Sequence, residues 1–338
     1  MILLTGESII GDSNMPVVNA ALVQLSDFYS RQRHDTDVVF ESKTICSVSR
    51  ETNSLAFWHQ LYAAIVEANP NSYDGIIILH QTGVLEYTAT FLSFMLSEVK
   101  IPVVLVSGDL PLNNDHANGY DNFLGAVDFL ANQRIKGVFV PIHIDGKTYI
   151  HLGSRLIQAW PDGHYYKSLN DIYFGIMDEN GFHWNKHEYN PTIEELNCKY
   201  RPQNRSTYIQ NSNIVYIKPY PGLNYDIFDF KVKPVAVFHE LYHSGTACTE
   251  ADTQKYTITY FARKCINEDI AFYAAPFNTK IMSTTSKDME AAGIKFISNM
   301  SVEAAYIKLI IAYGLFTDKC DILDFLNENI FFEKLFQS

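Results

Sequence analysis

The chain has 338 residues, 47% of them hydrophobic and 19% charged, which is the composition of an ordinary globular protein. This length allows two domains and excludes a disordered or collagen-like chain. The 38 acidic and 26 basic residues give a net charge of -12, so we expect neither nucleic acid nor an anionic membrane as a partner. Five cysteines without a C-x-x-C pair predict no disulfide framework, and they favour a reducing compartment.

Neither a signal peptide nor a membrane span is predicted. The apolar start of the chain carries no basic residue and is soon followed by Glu7. The most apolar later stretch, residues 304–316, is interrupted by Lys308 and is shorter than the ~20 residues that cross a bilayer. We therefore expect a cytoplasmic protein.

Short apolar runs alternate with stretches of helical spacing through the first half of the chain. This alternation predicts an α/β fold in which a mostly parallel sheet is covered by helices on both faces. The predicted strands lie at residues 2–4, 36–40, 75–79, 101–106 and 137–140, and the predicted helices at 55–67, 86–99 and 120–132.

The apolar periodicity stops between residues 191 and 213, where Asn, Gln, Arg and Tyr predominate. Such a change in composition predicts a connector between domains. Further strands at 214–217, 235–238 and 270–274 and a long helix from about Val302 predict a second α/β unit. We predict a large N-terminal domain at 1–195 that carries the active site, a linker at 196–212 and a smaller C-terminal domain at 213–338.

Ligands of open parallel sheets bind at the carboxyl ends of the strands, so the residues that follow the apolar runs are the first candidates for a site. These residues are 5–8, 80–83, 107–111 and 239–246. Ser8 follows the first run and Thr82 the third. A hydroxyl in such a loop can act as a nucleophile if a base activates it, although turns and helix N-caps use the same residue types.

Six segments, taken in order, resemble the bacterial-type L-asparaginases, in particular their type I, cytoplasmic branch. Thr5-Gly6-Glu7-Ser8-Ile9 is similar to the family's T-G-G-T-I opening. Asp74 to Thr82, followed by Glu86-x-Thr88, is similar to the family's block that runs from D-G through H-G-T-D-T to E-T. Pro102 to Leu112 is similar to the family's P-V-V-L-T-G-S-Q-x-P-L, and Asn118 to Asn122 is similar to its D-G-x-x-N. Lys218 to Gly222 is similar to its K-x-Y-P-G, and Asn299 to Ala305 is similar to its D-M-T-x-E-A-A.

The resemblance implies a hydroxyl nucleophile and a second hydroxyl that handles the proton and the leaving ammonia. By position these catalytic residues are Ser8 and Thr82. It also implies a lid at residues 11–19, a homodimer or homotetramer, and neither cofactor nor metal. The implied substrate-binding positions are Thr5, Gly6, His80, Gln81, Gly83 and Gln158, together with Arg50 and Thr52 of the segment at 49–54 that corresponds to the family's carboxylate-binding loop.

Two positions depart from the family pattern. Gly83 stands where the family has the aspartate that receives the α-ammonium group of the substrate, and Gln158 stands where it has a lysine. A neutral amide cannot accept a proton as an amine does, and glycine cannot pair with an ammonium group. The sequence therefore predicts that asparagine itself is a poor substrate.

His239-Glu240-Leu241-Tyr242-His243 matches the zinc motif H-E-x-x-H. The motif holds zinc only on a helix, where both histidines lie on one face. Here it follows a predicted strand, on which His239 and His243 would be ~13 Å apart. Asparaginase relatives commonly carry Y-H-S-G-T at this strand end, as residues 242–246 do, so we predict no zinc site.

Two functions remain open from the sequence. The first is an asparaginase-like amidohydrolase in which Ser8 attacks a small-molecule carboxamide or a related acyl group and Thr82 assists. The second is a catalytically impaired protein of the same fold that binds an amino-acid-like ligand or regulates a partner. Retention of both hydroxyls together with His80 favours the first function.

Overall fold

The computed structural model describes residues 1–5, 15–33, 38–45, 55–112, 114, 116–158, 166–198, 213–280 and 283–336, and only the backbone of residues 15–21. The chain divides into two compact units. The first contains Met1–Thr207 and Ile330–Phe332, and the second contains Tyr208–Asn329 and Glu333–Ser338. The short segment Ile330–Phe332 therefore belongs to the first unit although it lies near the end of the chain, which the sequence does not indicate.

The first unit is built on an eight-stranded sheet. Its strands are β1 (Ile2–Leu4), β2 (Ser42–Thr44), β3 (Ile76–Leu79), β4 (Pro102–Val106), β5 (Gly137–Ile144) and β6 (Lys147–Leu152), then β9 (Gly175–Asp178) and β10 (Gly181–Trp184), while β7 (Leu156–Ile157) and β8 (Lys167–Ser168) form a separate pair. The helices are α1 (Met15–Gln32), α2 (Leu55–Glu67), α3 (Leu85–Met95), α4 (Gly119–Asn132) and α5 (Ile193–Cys198).

The order of the large sheet is β10-β9-β6-β5-β4-β3-β1-β2. Counted from the β2 end of this order, β2, β1, β3, β4 and β5 are parallel to one another. β6, β9 and β10 follow as antiparallel strands. β3 and β4 are buried along their whole length, as strands covered on both faces must be. The predicted α/β class with a mostly parallel sheet is confirmed.

One predicted strand is wrong. Residues 38–40 form no strand, and the strand of this region is β2, whose residues Ser42 and Lys43 are exposed. Among the described strands, β2 lies at the edge of the sheet and pairs with β1 alone, with Thr44 opposite Leu4. An exposed edge strand needs no apolar face, so apolar periodicity misplaced it by a few residues.

The second unit is a four-stranded parallel sheet with helices. Its strands are β11 (Ile214–Ile217), β12 (Ala236–Glu240), β13 (Ala271–Phe277) and β14 (Lys295–Ser298), in the order β11-β12-β13-β14. Its helices are α6 (Ile258–Asn267), α7 (Thr284–Ala291), α8 (Val302–Leu315) and α9 (Lys319–Asn327). Val237, Phe261 and Phe272 are among the residues of its buried core.

Lys308 does not disrupt α8, although it interrupts the apolar pattern of that helix. Its side chain and that of Glu333 are both completely buried, and Lys308 Nζ lies 2.6 Å from Glu333 Oε1. Lys308 also donates a hydrogen bond to the carbonyl of Glu328. A charge removed from water in this way is tolerable only because an opposite charge and a carbonyl oxygen replace its hydration.

Among the residues that the structure describes, no helix is both long enough and apolar enough to cross a membrane.

Candidate functional site

Polar residues of the first unit meet at the carboxyl ends of β1, β3 and β4, which are neighbours in the sheet. Thr5, directly after β1, donates a hydrogen bond from Oγ1 to the carbonyl of Leu79, at 2.7 Å. The backbone N–H of His80, directly after β3, donates to the carbonyl of Val106, at 2.9 Å. The turn that begins at Thr82 therefore stands at the same sheet edge as Thr5.

Thr82 is the first residue of a short 3₁₀ turn, Thr82–Val84, that precedes α3, and Gln81 is its N-cap. Thr82 Oγ1 lies 3.4 Å from the carbonyl oxygen of Gly108, which follows β4. This distance is at the long limit of a hydrogen bond, so the described residues engage the hydroxyl only weakly. A substrate group could compete for it.

Gly83 is exposed, and a Cβ atom built on it would meet no atom of the described residues within 4 Å. Its backbone does not have the positive φ that requires glycine. An aspartate would therefore fit at this position. Gly83 in place of the family's aspartate changes the chemistry of the site, and it is not required by a lack of space.

His80 is completely buried at this edge. Its Nδ1 lies 2.6 Å from the carbonyl oxygen of Gln81, so Nδ1 carries the hydrogen and Nε2 is the acceptor nitrogen. Nε2 has no hydrogen-bond partner among the described residues. Burial lowers the pKa of His80 to about 4, and the imidazole is neutral at pH 7. His80 can therefore accept a hydrogen bond but does not provide a positive charge.

The sequence reasoning did not predict the roles of two further residues at this turn. The phenol of Tyr166 donates a hydrogen bond to the carbonyl of Thr82, and it also interacts with the buried carboxyl group of Glu86 in the first turn of α3. Burial, reinforced by the charge of Glu86, raises the pKa of Tyr166, so the phenol stays protonated and remains a donor. The resemblance drew attention to Glu86 as a motif residue, but no local signal connects it with Tyr166.

Asn122 of α4 is a third residue whose role was not predicted. It is buried, and its amide nitrogen donates to the carbonyl of Ser107 at 2.8 Å, while its amide oxygen accepts from the backbone N–H of His143 at 2.6 Å. It thus joins the chain after β4 to β5. Because Gly108 faces Thr82 one residue beyond Ser107, Asn122 helps to fix the backbone around the site.

The chain leading to Gln158 packs tightly against α3. A Cβ atom on Gly153 would lie 3.0 Å from the carbonyl oxygen of Ala89, and Thr90 Oγ1 donates to the Gly153 carbonyl at 3.1 Å. Arg155 is buried and donates to the carbonyl of Phe332. Gln158 itself is exposed. Residues 153–155 thus anchor the segment that leads to Gln158. The position of this segment does not require the lysine that the family has in place of Gln158.

Four predicted site residues lie outside the described residues. They are Gly6, Ser8, Arg50 and Thr52. The predicted lid also falls partly outside them, and its described part, residues 15–19, forms the start of α1. The assignment of Ser8 as the nucleophile stays a prediction.

The H-E-x-x-H residues 239–243 do not lie on a helix. His239 lies on β12, as predicted, and is buried with its Nε2 2.9 Å from the hydroxyl of Tyr225, whereas His243 is exposed in the following turn. Burial lowers the pKa of His239 to about 4. Within the described ranges, no group of three His, Cys, Asp or Glu residues could hold a metal ion.

Residues 1–188, more than half of the chain, match the family model described as "Asparaginase, N-terminal". The protein therefore belongs to the asparaginase family, and its fold is that of an asparaginase-like amidohydrolase. The solved structures of the L-asparaginase from Thermococcus kodakarensis and of L-asparaginase I from Vibrio cholerae share this fold. Their TM-scores are 0.74 and 0.76 at 20% and 19% identity, and each comparison covers 98% of both chains.

Two relatives are informative. A subunit of the glutamyl-tRNA(Gln) amidotransferase of Methanococcus maripaludis strain C7 is 26% identical over 294 residues, which are 81% of this chain and 65% of that protein. L-asparaginase 1 of Escherichia coli K12 is 29% identical over 196 residues, which are 56% of this chain and 53% of that protein. The chain thus matches less than two thirds of the length of either relative.

Proposed function

We propose that the protein is an amidohydrolase in which the hydroxyl of Ser8 attacks a carboxamide and Thr82 assists the proton transfers. The observation that carries this proposal is the meeting of Thr5, His80 and Thr82 at the carboxyl ends of adjacent parallel strands. A hydroxyl nucleophile splits amide hydrolysis into two steps, formation and hydrolysis of an acyl-enzyme, and water releases the acid in the second. Membership of the asparaginase family supports the reaction class.

The substrate we propose is an amide without a free α-ammonium group. In the family the aspartate at the position of Gly83 pairs with that group, and the open space at Gly83 leaves it without a counter-charge. His80, the buried imidazole at this edge of the sheet, is neutral and adds no charge to the site. The name of the archaeal relative, which describes part of an amidotransferase, is consistent with a substrate other than asparagine.

The assay is ammonia release from L-asparagine, L-glutamine and their N-acetylated forms. We expect the acetylated amides to be cleaved with the higher kcat/KM, because acetylation removes the ammonium charge. Ser8→Ala and Thr82→Ala should each lower the rate by about 10²–10⁴. Ser30→Ala, which removes an exposed hydroxyl from α1, is the matched control and should leave the rate unchanged. A Ser8→Ala enzyme as active as the unaltered protein on every amide would exclude the proposal.

The competing proposal is a protein that binds such a ligand without turning it over. It is favoured by Gly83 and Gln158, which stand where the family places an aspartate and a lysine. A ligand-induced rise in the melting temperature with an amide that is never hydrolysed would support it. Detectable hydrolysis that depends on Ser8 would reject it.

For the assembly we propose a homodimer or homotetramer, as the resemblance implies. The archaeal relative, named as one subunit of an amidotransferase, offers the alternative of a hetero-oligomer. Light scattering of the purified chain measures its oligomeric state, and a monomer would contradict the homodimer or homotetramer. We also propose the cytoplasm as its location.

A further inference from the structure

A cavity of about 680 Å³ lies within the second unit at the amino ends of its parallel strands. Val235 precedes β12, Ala271 begins β13 and Lys295 begins β14, and all three line the cavity. Volumes of ~300–1,000 Å³ are typical of pockets that bind small molecules. None of the candidate catalytic or substrate-binding residues lines it, and the strand edge is the opposite one from that used by ligands of such sheets.

The rim of the cavity is positively charged although the chain as a whole carries -12. Lys233, Lys295 and Lys319 line it together with one acidic residue, Asp269. Asp269 lies 3.0 Å from Lys319 Nζ and 4.0 Å from Lys233 Nζ. Three lysines against one aspartate leave an excess of two positive charges. A concave surface lined by one sign of charge attracts ligands of the opposite sign.

Aromatic and aliphatic side chains also line the cavity. The rings of Tyr273 and Tyr313 meet edge to face with their hydroxyls 3.2 Å apart, and Phe316 follows α8. Val235 is 42% exposed and Ile266 is 38% exposed, so apolar surface inside the cavity remains open to water. A flat apolar group would cover this surface with a favourable free energy.

We propose that this cavity binds a nucleoside monophosphate, with its phosphate against the three lysines and its base against Tyr313 and Phe316. A phosphate monoester carries a charge of about -1.5 to -2 at pH 7, which matches the excess of positive charge. Lysine is a common phosphate ligand, acting as a point charge. Such a ligand goes beyond the proposed amide hydrolysis, because neither the sequence nor the family resemblance implies a cofactor for that reaction.

The test is calorimetric titration of the full chain at low ionic strength with AMP and UMP, which represent a purine and a pyrimidine. We expect at least one of them to bind with a stoichiometry of one per chain. The corresponding nucleosides, adenosine and uridine, should bind at least tenfold more weakly because they lack the phosphate. Failure of both nucleotides to bind, or equal binding of the nucleosides, would overturn the proposal.

Variants locate the binding. Lys295→Gln and Lys319→Gln should each weaken binding about tenfold, whereas Lys287→Gln, which removes an exposed lysine from α7 outside the cavity, should not. Thr317→Trp, at an exposed position of the lining, should block the cavity. Equal weakening by Lys287→Gln would show non-specific attraction and reject the site.

Asp269→Asn should change the affinity for the nucleotide in the opposite direction to the lysine variants. It removes the one negative charge of the rim and should tighten nucleotide binding at least threefold. Asp269 has a φ of 57°, a left-handed conformation that asparagine also adopts, so the variant should fold normally. Unchanged or weaker binding in this folded variant would contradict the electrostatic basis of the site.

Discussion

Tyr166 and Thr82 are 84 residues apart in the chain, and the phenol of the first donates a hydrogen bond to the backbone carbonyl of the second. The contact holds the turn that carries the candidate catalytic hydroxyl. It links this turn to β8, the strand that begins at Lys167, so the position of Thr82 depends on a distant part of the first unit.

Tyr166→Phe should leave the Thr82 carbonyl without its donor while keeping the aromatic ring. We expect a loss of about 1–2 kcal/mol in the free energy of unfolding, since a buried acceptor loses its partner. We also expect roughly a tenfold fall in kcat for amide hydrolysis, because a small displacement of a reacting group costs much of its effect. Tyr220→Phe, at an exposed tyrosine, is the control and should change neither quantity. A variant with full activity would remove Tyr166 from the site.

Gly83→Asp should restore the family carboxylate at little cost to stability, because the position is exposed and no described residue has an atom within 4 Å of a Cβ built there. The added anion should increase kcat/KM for L-asparagine by about tenfold or more relative to N-acetylasparagine. Steady-state kinetics on the two amides measure this ratio. Gly83→Asn, similar in size but neutral, should not change it. An unchanged ratio in Gly83→Asp would mean that the ammonium group of the substrate does not reach position 83.

The first unit should lose stability between about pH 6.5 and pH 4. Burial lowers the pKa of both His80 and His151 to about 4, whereas an unfolded histidine titrates near 6.5. Between these values the unfolded chain binds more protons than the folded one, so stability falls as the pH falls. Each histidine contributes at most about 3 kcal/mol to this loss.

All three tryptophans, Trp58, Trp160 and Trp184, belong to the first unit, so their fluorescence follows its unfolding in urea at each pH. His151→Gln should reduce the pH dependence of this transition by about half. A first unit equally stable at pH 7 and pH 4.5 would contradict the assignment of two buried neutral imidazoles.

Lys308→Met should destabilise the second unit by about 3–5 kcal/mol, because it leaves the carboxylate of Glu333 buried without its cation. Lys308→Met combined with Glu333→Gln should recover a large part of this loss, since both charges of the buried pair are then removed. Circular dichroism during urea unfolding reports on both units, and tryptophan fluorescence reports on the first. The comparison of the two signals gives the free energy of unfolding of the second unit. If Lys308→Met alone lowered the free energy of unfolding by less than about 1 kcal/mol, the carboxyl group of Glu333 would have to be protonated or hydrated.

The parts of the fold that were predicted correctly are those in which a local pattern has one physical solution. β3 and β4 are continuous apolar runs because both faces of the sheet are covered, and α2 was located at its observed bounds from its apolar spacing. The buried Lys308 gave only the appearance of an interruption, because its partner Glu333 is 25 residues away. The return of Ile330–Phe332 to the first unit is equally invisible in local sequence.

The candidate site was predicted where the polar residues directly follow apolar strands, as Thr5 and His80 do. The roles of Tyr166, Glu86 and Asn122 were not predicted, because tertiary structure brings together the groups that they contact. The open space at Gly83 likewise required coordinates. Sequence patterns thus located the sheet edge, and the packing around it revealed which groups hold the turn of Thr82.

The interior position of β1 in the sheet also has a consequence for the synthesis of the protein. β1 precedes in the chain both strands with which it pairs, β2 and β3, and Ile2 lies opposite Ile77 of β3. The three apolar residues of β1 are therefore fully paired only after the chain has been extended through β3. Contacts so distant in sequence form slowly, and exposed apolar strands attract other chains. Newly made copies of this protein should consequently depend on chaperones more than a helical protein of the same length would.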